Sequence, residues 1–355
     1  MQKYLFTFLV FVSFTAFAQN TIEATIKDEA NKPIAFANIY LPDSKKSTVS
    51  NEDGRFYLII NSDIDKSVII SHLSYQDAQF TINDNFPETI ILKEGALQLD
   101  EVVIGKQITG EEIALKVIEN LKNNHGNAPT YYEYFRRVID YNKNNNEVDL
   151  VQEYYGKLVH TLANKTKVNI KKSRAVTYTL NGEKELERLM MHDFFKIESD
   201  NFLLYKRQFL KKGQLKNYTI NIEGSTIFNT TECYILKYTK NDGGNYDPDA
   251  KILAYIDKTS YGIVKLITGS YSTDTNYYQE KNFINIDNKW VLSSASDKFK
   301  NKLYLTLYNH INDEKDFINE DYKALVIGLG ERLKKHNKNP NDSFWDNYQH
   351  IPLLD

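Results

Sequence analysis

The sequence predicts a mainly β protein, built from a small β-sandwich, a linking helix and a large curved antiparallel sheet with a few helices. Aromatic residues make up 13% of the chain, with 25 Tyr and 19 Phe, while Gly and Pro number only 15 and 7. That composition suits many long strands. Short β-branched and aromatic runs recur between Asn, Asp, Gly and Pro clusters, and a 3.6-residue apolar period surfaces in only a few separate stretches. The 355 residues carry 44 Lys+Arg against 47 Asp+Glu, a net charge of -3, and are 41% hydrophobic. These values exclude disordered, collagen-like and coiled-coil chains. Without clustered basic residues, a general nucleic-acid binder is excluded too. The length fits roughly two or three domains of about 100 to 200 residues.

Residues 1–18 read as a signal peptide. Lys3 supplies the positive charge, 4–14 is almost wholly apolar, and Ala16-Phe17-Ala18 provides the small residues of a cleavage site, so the mature chain is expected to begin at Gln19. The run is shorter than the roughly 20 residues that span a bilayer, and no later stretch reaches that length, so no transmembrane span is expected. The well-placed cleavage site argues against an uncleaved anchor. Gln rather than Cys at the cleavage point argues against a lipid anchor.

The next module is expected over 19–104. Strand-like runs at 21–27, 37–41, 54–60, 67–73 and 89–93 are separated by turn formers such as Asn31-Lys32-Pro33, Asn51-Glu52-Asp53-Gly54 and Asn83-Asp84-Asn85. With no helical period between them, they predict a small antiparallel sandwich. Asn51-Glu52-Asp53-Gly54 resembles part of a calcium loop, but the ligand pattern stops at Gly54, so a hairpin turn with positive φ at Gly54 is expected instead. His72 lies in an apolar run with no second ligand at metal spacing, which makes it a core or edge histidine.

The succession Ile22-Glu23-Ala24-Thr25-Ile26-Lys27, Pro33-Ile34-Ala35-Phe36-Ala37-Asn38-Ile39 and Thr48 through Asp53-Gly54-Arg55-Phe56 resembles the carboxypeptidase-regulatory-like domain. The likeness continues through Ile69-Ile70-Ser71-His72-Leu73-Ser74-Tyr75 and closes at Leu99-Asp100-Glu101-Val102-Val103-Ile104. It implies a transthyretin-like sandwich of the kind found on exported and outer-membrane proteins of Bacteroidota. It also implies no catalytic role, so no residue of the module is assigned as an active site. Residues 99–104 further resemble the segment leading into the plug of TonB-dependent receptors. The roughly 250 residues that follow are too few for a plug and a 22-stranded barrel.

A linking helix is expected within 105–129. Thr109 places a cap hydroxyl ahead of Glu111 and Glu112, and Ile113, Val117 and Leu121 with Ala114, Leu115 and Ile118 form the apolar stripe up to Gly126. From 130 to 320 the runs 131–141, 148–160, 168–172, 218–223, 232–238, 251–257, 263–267, 276–285, 289–296 and 302–309 predict a large antiparallel meander, with a hairpin turn at 258–262. A helix over 183–195 could lie across the sheet. The outline is similar to the open half-barrels of periplasmic lipoprotein carriers, with Tyr255-Ile256-Asp257-Lys258-Thr259-Ser260-Tyr261-Gly262-Ile263 as the best local echo, and this likeness implies an apolar cavity. A sheet packed by its own side chains remains the equal alternative. In 321–355 follow a helix over 322–335 and an aromatic tail with Phe344-Trp345, Tyr348 and Ile351; the tail is expected to dock on its own sheet, with a partner-binding peptide as the alternative.

Signals for chemistry are few. There is no H-E-x-x-H, no G-x-S-x-G and no phosphate-cradling Gly loop. The histidines at 72, 125, 160, 192, 310, 336 and 350 are scattered, and adjacent His192-Asp193 cannot form an oriented dyad on a helix. Asp247-Pro248-Asp249 reads as a turn. Cys233, the single cysteine, reads as a small buried hydrophobe. Catalytic, cofactor-binding and metal residues are accordingly assigned to none, and no cofactor is expected. The expectation is an exported, noncatalytic protein of the periplasm or outer-membrane periphery that binds an apolar ligand, such as a lipid or acyl chain, or an envelope protein partner. A protein-interaction module and a cryptic glycan or peptide hydrolase are the alternatives.

Overall fold

The computed structural model describes residues 20–72, 75–95, 108–126, 129–142, 144–145, 147–160, 166–177, 207–242, 251–272, 275–311 and 344–347. The expected signal peptide, the 99–104 segment, the helices over 183–195 and 322–335, Asp247-Pro248-Asp249, His192, His336 and His350 lie outside the described residues, as does most of the 341–355 tail.

The N-terminal sandwich contains β1 (Thr21–Asp28), β2 (Asn38–Leu41), β3 (Lys46–Val49), β4 (Arg55–Ile59), β5 (Ser67–His72), β6 (Tyr75–Thr81) and β7 (Thr89–Leu92). One sheet has the order β4-β1-β7 and the other β3-β2-β5-β6. In β1, Ile22, Ala24 and Ile26 point into the core while Thr21 and Glu23 face solvent. This is the alternation of a sheet with one wet face. In β2 all of Asn38, Ile39, Tyr40 and Leu41 are buried. Ile39 and Leu41 join Val68 and Ile70 in the sandwich core. Tyr40 and Ile69 point the other way, into the core of a second sheet. The β3-β2-β5-β6 sheet is therefore a middle layer, covered on both sides.

That second sheet is antiparallel and ten-stranded, formed by β8 (Thr130–Tyr141), β9 (Val148–His160), β10 (Thr166–Thr177), β11 (Tyr218–Phe228), β12 (Thr231–Lys240), β13 (Lys251–Asp257), β14 (Ile263–Ser272), β15 (Thr275–Ile286), β16 (Lys289–Phe299) and β17 (Lys302–Ile311). Its order is β10-β9-β8-β17-β16-β15-β14-β13-β12-β11, so two meanders meet where β8 pairs with β17. Register shifts at Ile222/Gly224, Tyr255/Ile256 and Asn282/Phe283 mark bulges, which bend and twist strands locally.

Helix α1 (Gly110–His125) begins with a capping box, in which Glu112 N donates to Thr109 Oγ1 at 3.1 Å and Thr109 N donates to Glu112 Oε2 at 2.8 Å. Its buried stripe, Ile113, Ala114, Val117 and Leu121, shares a core with Ile220 and Tyr238. Side chains alternate along a strand, so Tyr238 stands on the face opposite to Lys237. Each fully buried large aliphatic here contributes about 1.5–3 kcal/mol. The helix end is pinned by His125, whose Nε2 accepts from Ile263 N at 3.1 Å while Nδ1 faces the Trp290 carbonyl at 3.1 Å. Burial holds this imidazole neutral, down to about 3.

Three sequence expectations need correction. The sandwich is not wholly antiparallel, because β1 pairs with β7 in parallel. Strands β3 and β6 were absent from the predicted set, because Lys46–Val49 is short and Tyr75–Thr81 interleaves Gln and Asp with its apolar residues. The 51–54 turn is also not a hairpin: β3 pairs with β2 and β4 with β1, so the turn carries the chain from one sandwich sheet to the other. Gly54 does have φ +75, and a Cβ there would collide with the Ile26 carbonyl. Asn51 Oδ1 accepts from Asp53 N at 3.0 Å and Arg55 N at 2.9 Å, spending that side chain on the turn.

Candidate functional site

Where the middle layer of the sandwich meets the ten-stranded sheet, a cleft of about 670 Å³ opens. Its floor is set by strand parity. Ile235 on β12 is the partner of Tyr255 on β13, and Leu253 of Ile267 on β14. One row further, Lys251 pairs with Gly269, and Gly269 with Tyr278 on β15. Since alternate residues share a face, all of these stand on the sandwich side. Gly269 has no side chain, which leaves a hollow between Lys251 and Tyr278. The roof comes from the sandwich: Tyr75 at the start of β6, bridged to Glu94, and Gly95 beside it. Lys237 and Glu223 close the β11 side as an ion pair at 3.5 Å.

Beside the floor, on the same face of the sheet, the junction with the sandwich is polar and dry. Lys265 Nζ sits 2.6 Å from Glu280 Oε1 with its side chain 2% exposed, and its ammonium lies 5.0 Å from the Phe228 ring. Tyr278, a floor residue, donates to Glu280 Oε2 at 2.6 Å. Burial raises the Glu280 carboxyl, but the Lys265 ammonium and donors from Lys265, Tyr278 and Asn282 outweigh it and hold the group below the usual carboxylate range. The β11–β12 turn, Asn229-Thr230, has φ of 47 and 66 at its two residues, the geometry of a tight hairpin. Its tip enters the sandwich. Asn229 N donates to Asp77 Oδ2 at 3.1 Å, and Asn229 Oδ1 accepts from Ser71 Oγ at 3.2 Å and Asn38 Nδ2 at 3.3 Å. This latch fixes the roof over the floor.

Two groups at the latch titrate in opposite senses. Burial pushes Asp77 up to about 6, against the pull of the Asn229 N–H and Lys265. Burial, and then Lys265, push His72 down to about 4, with Glu280 opposing. Between about pH 4 and 6 the folded state holds a proton on Asp77 that the unfolded chain releases, so stability from Asp77 falls as pH rises. Between about pH 4 and 6.5 the unfolded chain holds a proton on His72 that the folded state rejects, so stability from His72 rises with pH. The two slopes offset each other. We expect Asp77→Asn to expose a rising stability of about 1–2 kcal/mol across that window, and His72→Gln a falling one of similar size, after discounting for residual solvent contact. Urea midpoints of each variant across this range measure it; two parallel curves would refute the assignment.

Cys233 is fully buried, its Sγ 3.4 Å from the Thr231 carbonyl, and burial with Asp257 and Asp77 nearby pushes the thiol far above the ordinary range. It is a packing residue, as the sequence indicated. His72 lies at the latch with its ring 5.2 Å from Tyr75. Among the described residues, no group of three or more His, Cys, Asp or Glu is arranged to hold a metal ion. No described helix is long and apolar enough to cross a membrane. The cleft residues themselves were not singled out by sequence reasoning. The spacing of Ile235/Lys237, Lys251/Leu253/Tyr255 and Ile267/Gly269 gave their shared face, but not that a sandwich would roof it.

Residues 22–104 match the CarboxypepD_reg-like domain family. A stretch of 128 residues is 30% identical to the TonB-dependent receptor SusC of Bacteroides thetaiotaomicron, covering 34% of this chain and 12% of the receptor's length. Among solved structures, a putative outer membrane lipoprotein-sorting protein domain from Vibrio parahaemolyticus aligns with 59% of this chain and 97% of its own, at 13% identity and a TM-score of 0.32. A LolA superfamily protein from Nitrosomonas europaea aligns with 61% of this chain and 99% of its own, at 11% identity and a TM-score of 0.26.

Proposed function

We propose that this chain is an exported, noncatalytic envelope protein that holds one small, partly apolar ligand in the cleft between its sandwich and its large sheet. The observation that carries this reading is the cleft itself: about 670 Å³, floored by Ile235, Leu253, Ile267 and two tyrosines. That volume lies within the range of pockets that enclose a single small molecule, and removal of apolar surface from water supplies the affinity. The leader pattern of residues 1–18, the match of 22–104 to the CarboxypepD_reg-like domain family and the stretch similar to a TonB-dependent receptor support the envelope setting. The tail offers less support for a free docking peptide, because Trp345 is 1% exposed and packs on its own chain.

The test is native mass spectrometry of the chain purified from a periplasmic host, beside Gly269→Leu. Gly269 lies on β14 and lines the cleft, so a side chain there is expected to fill the hollow. The wild-type protein is expected to carry a stoichiometric noncovalent mass that denaturation releases, and the variant to lose it while keeping its circular dichroism spectrum. An apo wild-type mass that persists after incubation with envelope lipid extract would end the proposal.

A further inference from the structure

We infer that the cleft selects an amphiphile whose head carries both charges, a zwitterionic single-chain lipid in chemical terms. This rests on the ligand-binding reading above and names the ligand class of the same site. The apolar floor steps across β12, β13, β14 and β15 through Ile235, Leu253, Ile267 and Tyr278. With strands about 4.8 Å apart it is a strip roughly 14 Å long. That shape takes one alkyl chain lying across the strands and leaves room in the cleft of about 670 Å³ for its head group.

The charges around the strip come in both signs. Lys237 and Lys251 rise from the floor strands, Lys237 opposite Leu253 and Lys251 two residues before it, so the two ammonium stems are diagonal neighbours. Glu223 stands beside Lys237, and Glu94 projects from the roof next to Tyr75. A purely anionic head gains from the lysines and is opposed by the glutamates, and a purely cationic head meets the reverse. A head with a cation and an anion a few atoms apart gains from both pairs, and its cationic end also finds the Tyr75 ring at the roof. The lining thus fits a dipolar head more closely than a net charge.

Titration calorimetry on the full chain, below micelle-forming concentrations, compares four dodecyl probes with one tail: phosphocholine, sulfate, trimethylammonium and maltoside. The phosphocholine probe is expected to bind at least about fivefold tighter than each of the others. Glu94→Lys is expected to move the preference towards the sulfate probe, and Gly269→Leu to abolish binding of all four with the fold intact by circular dichroism. Equal affinities across heads, or a preference for the sulfate or trimethylammonium probe, would overturn the head-group inference while leaving the cleft as an apolar site. Binding that survives Gly269→Leu would overturn the location. Failure of every probe and of envelope lipid extract to bind the wild-type chain would overturn the function proposal itself, together with this inference.

Discussion

Replacing Glu153 with Ala is expected to cost about 3–5 kcal/mol and to lower the melting temperature by many degrees, because it removes the carboxylate that two buried guanidinium groups share. Glu153 lies 1% exposed on β9, facing Arg137 on β8 and Arg174 on β10. Arg137 donates to Glu153 Oε1 through Nε at 2.8 Å and Nη2 at 2.5 Å, and Arg174 Nε holds Oε2. Both carboxylate oxygens are thus engaged, each by a different neighbouring strand. Deleting the acid leaves two positive charges out of water with their mutual repulsion unscreened. Arg174→Met is expected to cost less, since it removes one charge and leaves a neutral pair. Urea unfolding of the two variants decides it. A Glu153→Ala midpoint equal to that of the wild type would show that the guanidiniums find other partners.

Trp345→Ala is expected to be of similar size, about 3–5 kcal/mol. The single turn Phe344–Asn347 sets its indole, 1% exposed, against Leu303, Leu305, Leu307, Phe135 and Ile139 of the sheet. The same cluster takes in Val49 of the sandwich. The Arg174 guanidinium lies 4.7 Å over that ring, so Trp345 also caps the buried charge triad. A double-mutant cycle of Trp345→Ala with Arg174→Met is expected to show coupling of about 0.5–2 kcal/mol. Deleting 341–355 is expected to reproduce the loss. If that deletion leaves the melting temperature unchanged while a binding partner is lost, the tail is a docking peptide and this account of Trp345 fails.

Much of the fold was legible in the sequence because strand periodicity is local. The run at 148–160 coincides with β9, and the cap at Thr109 with the start of α1. Strands were underestimated where a bulge or a glycine broke the pattern. The run ending at 223 continues through Gly224 to Phe228, and the run ending at 267 passes Gly269 to Ser272. The site was far less legible. Tyr40 and Ile69 carry no sign in the sequence that they point at a second sheet, nor does Asn229 signal that its hairpin tip meets Asp77. Those facts depend on which faces two separately patterned modules press together, and a period of two gives the faces but not the partner.

The meeting of β8 with β17 also dictates when the molecule can become whole. Arg136 and Thr306 touch across that seam although 170 positions separate them in the chain. Such distant pairing slows folding, since the loop between must close before the contact rewards it. During synthesis, β8, β9 and β10 can associate early, but their free edge must wait for nearly all of the chain to emerge. Until then β8 exposes a long unsatisfied row of amides and carbonyls, a template for wrong association. The seam therefore cannot close before β17 emerges, and a partly made molecule is where aggregation would begin.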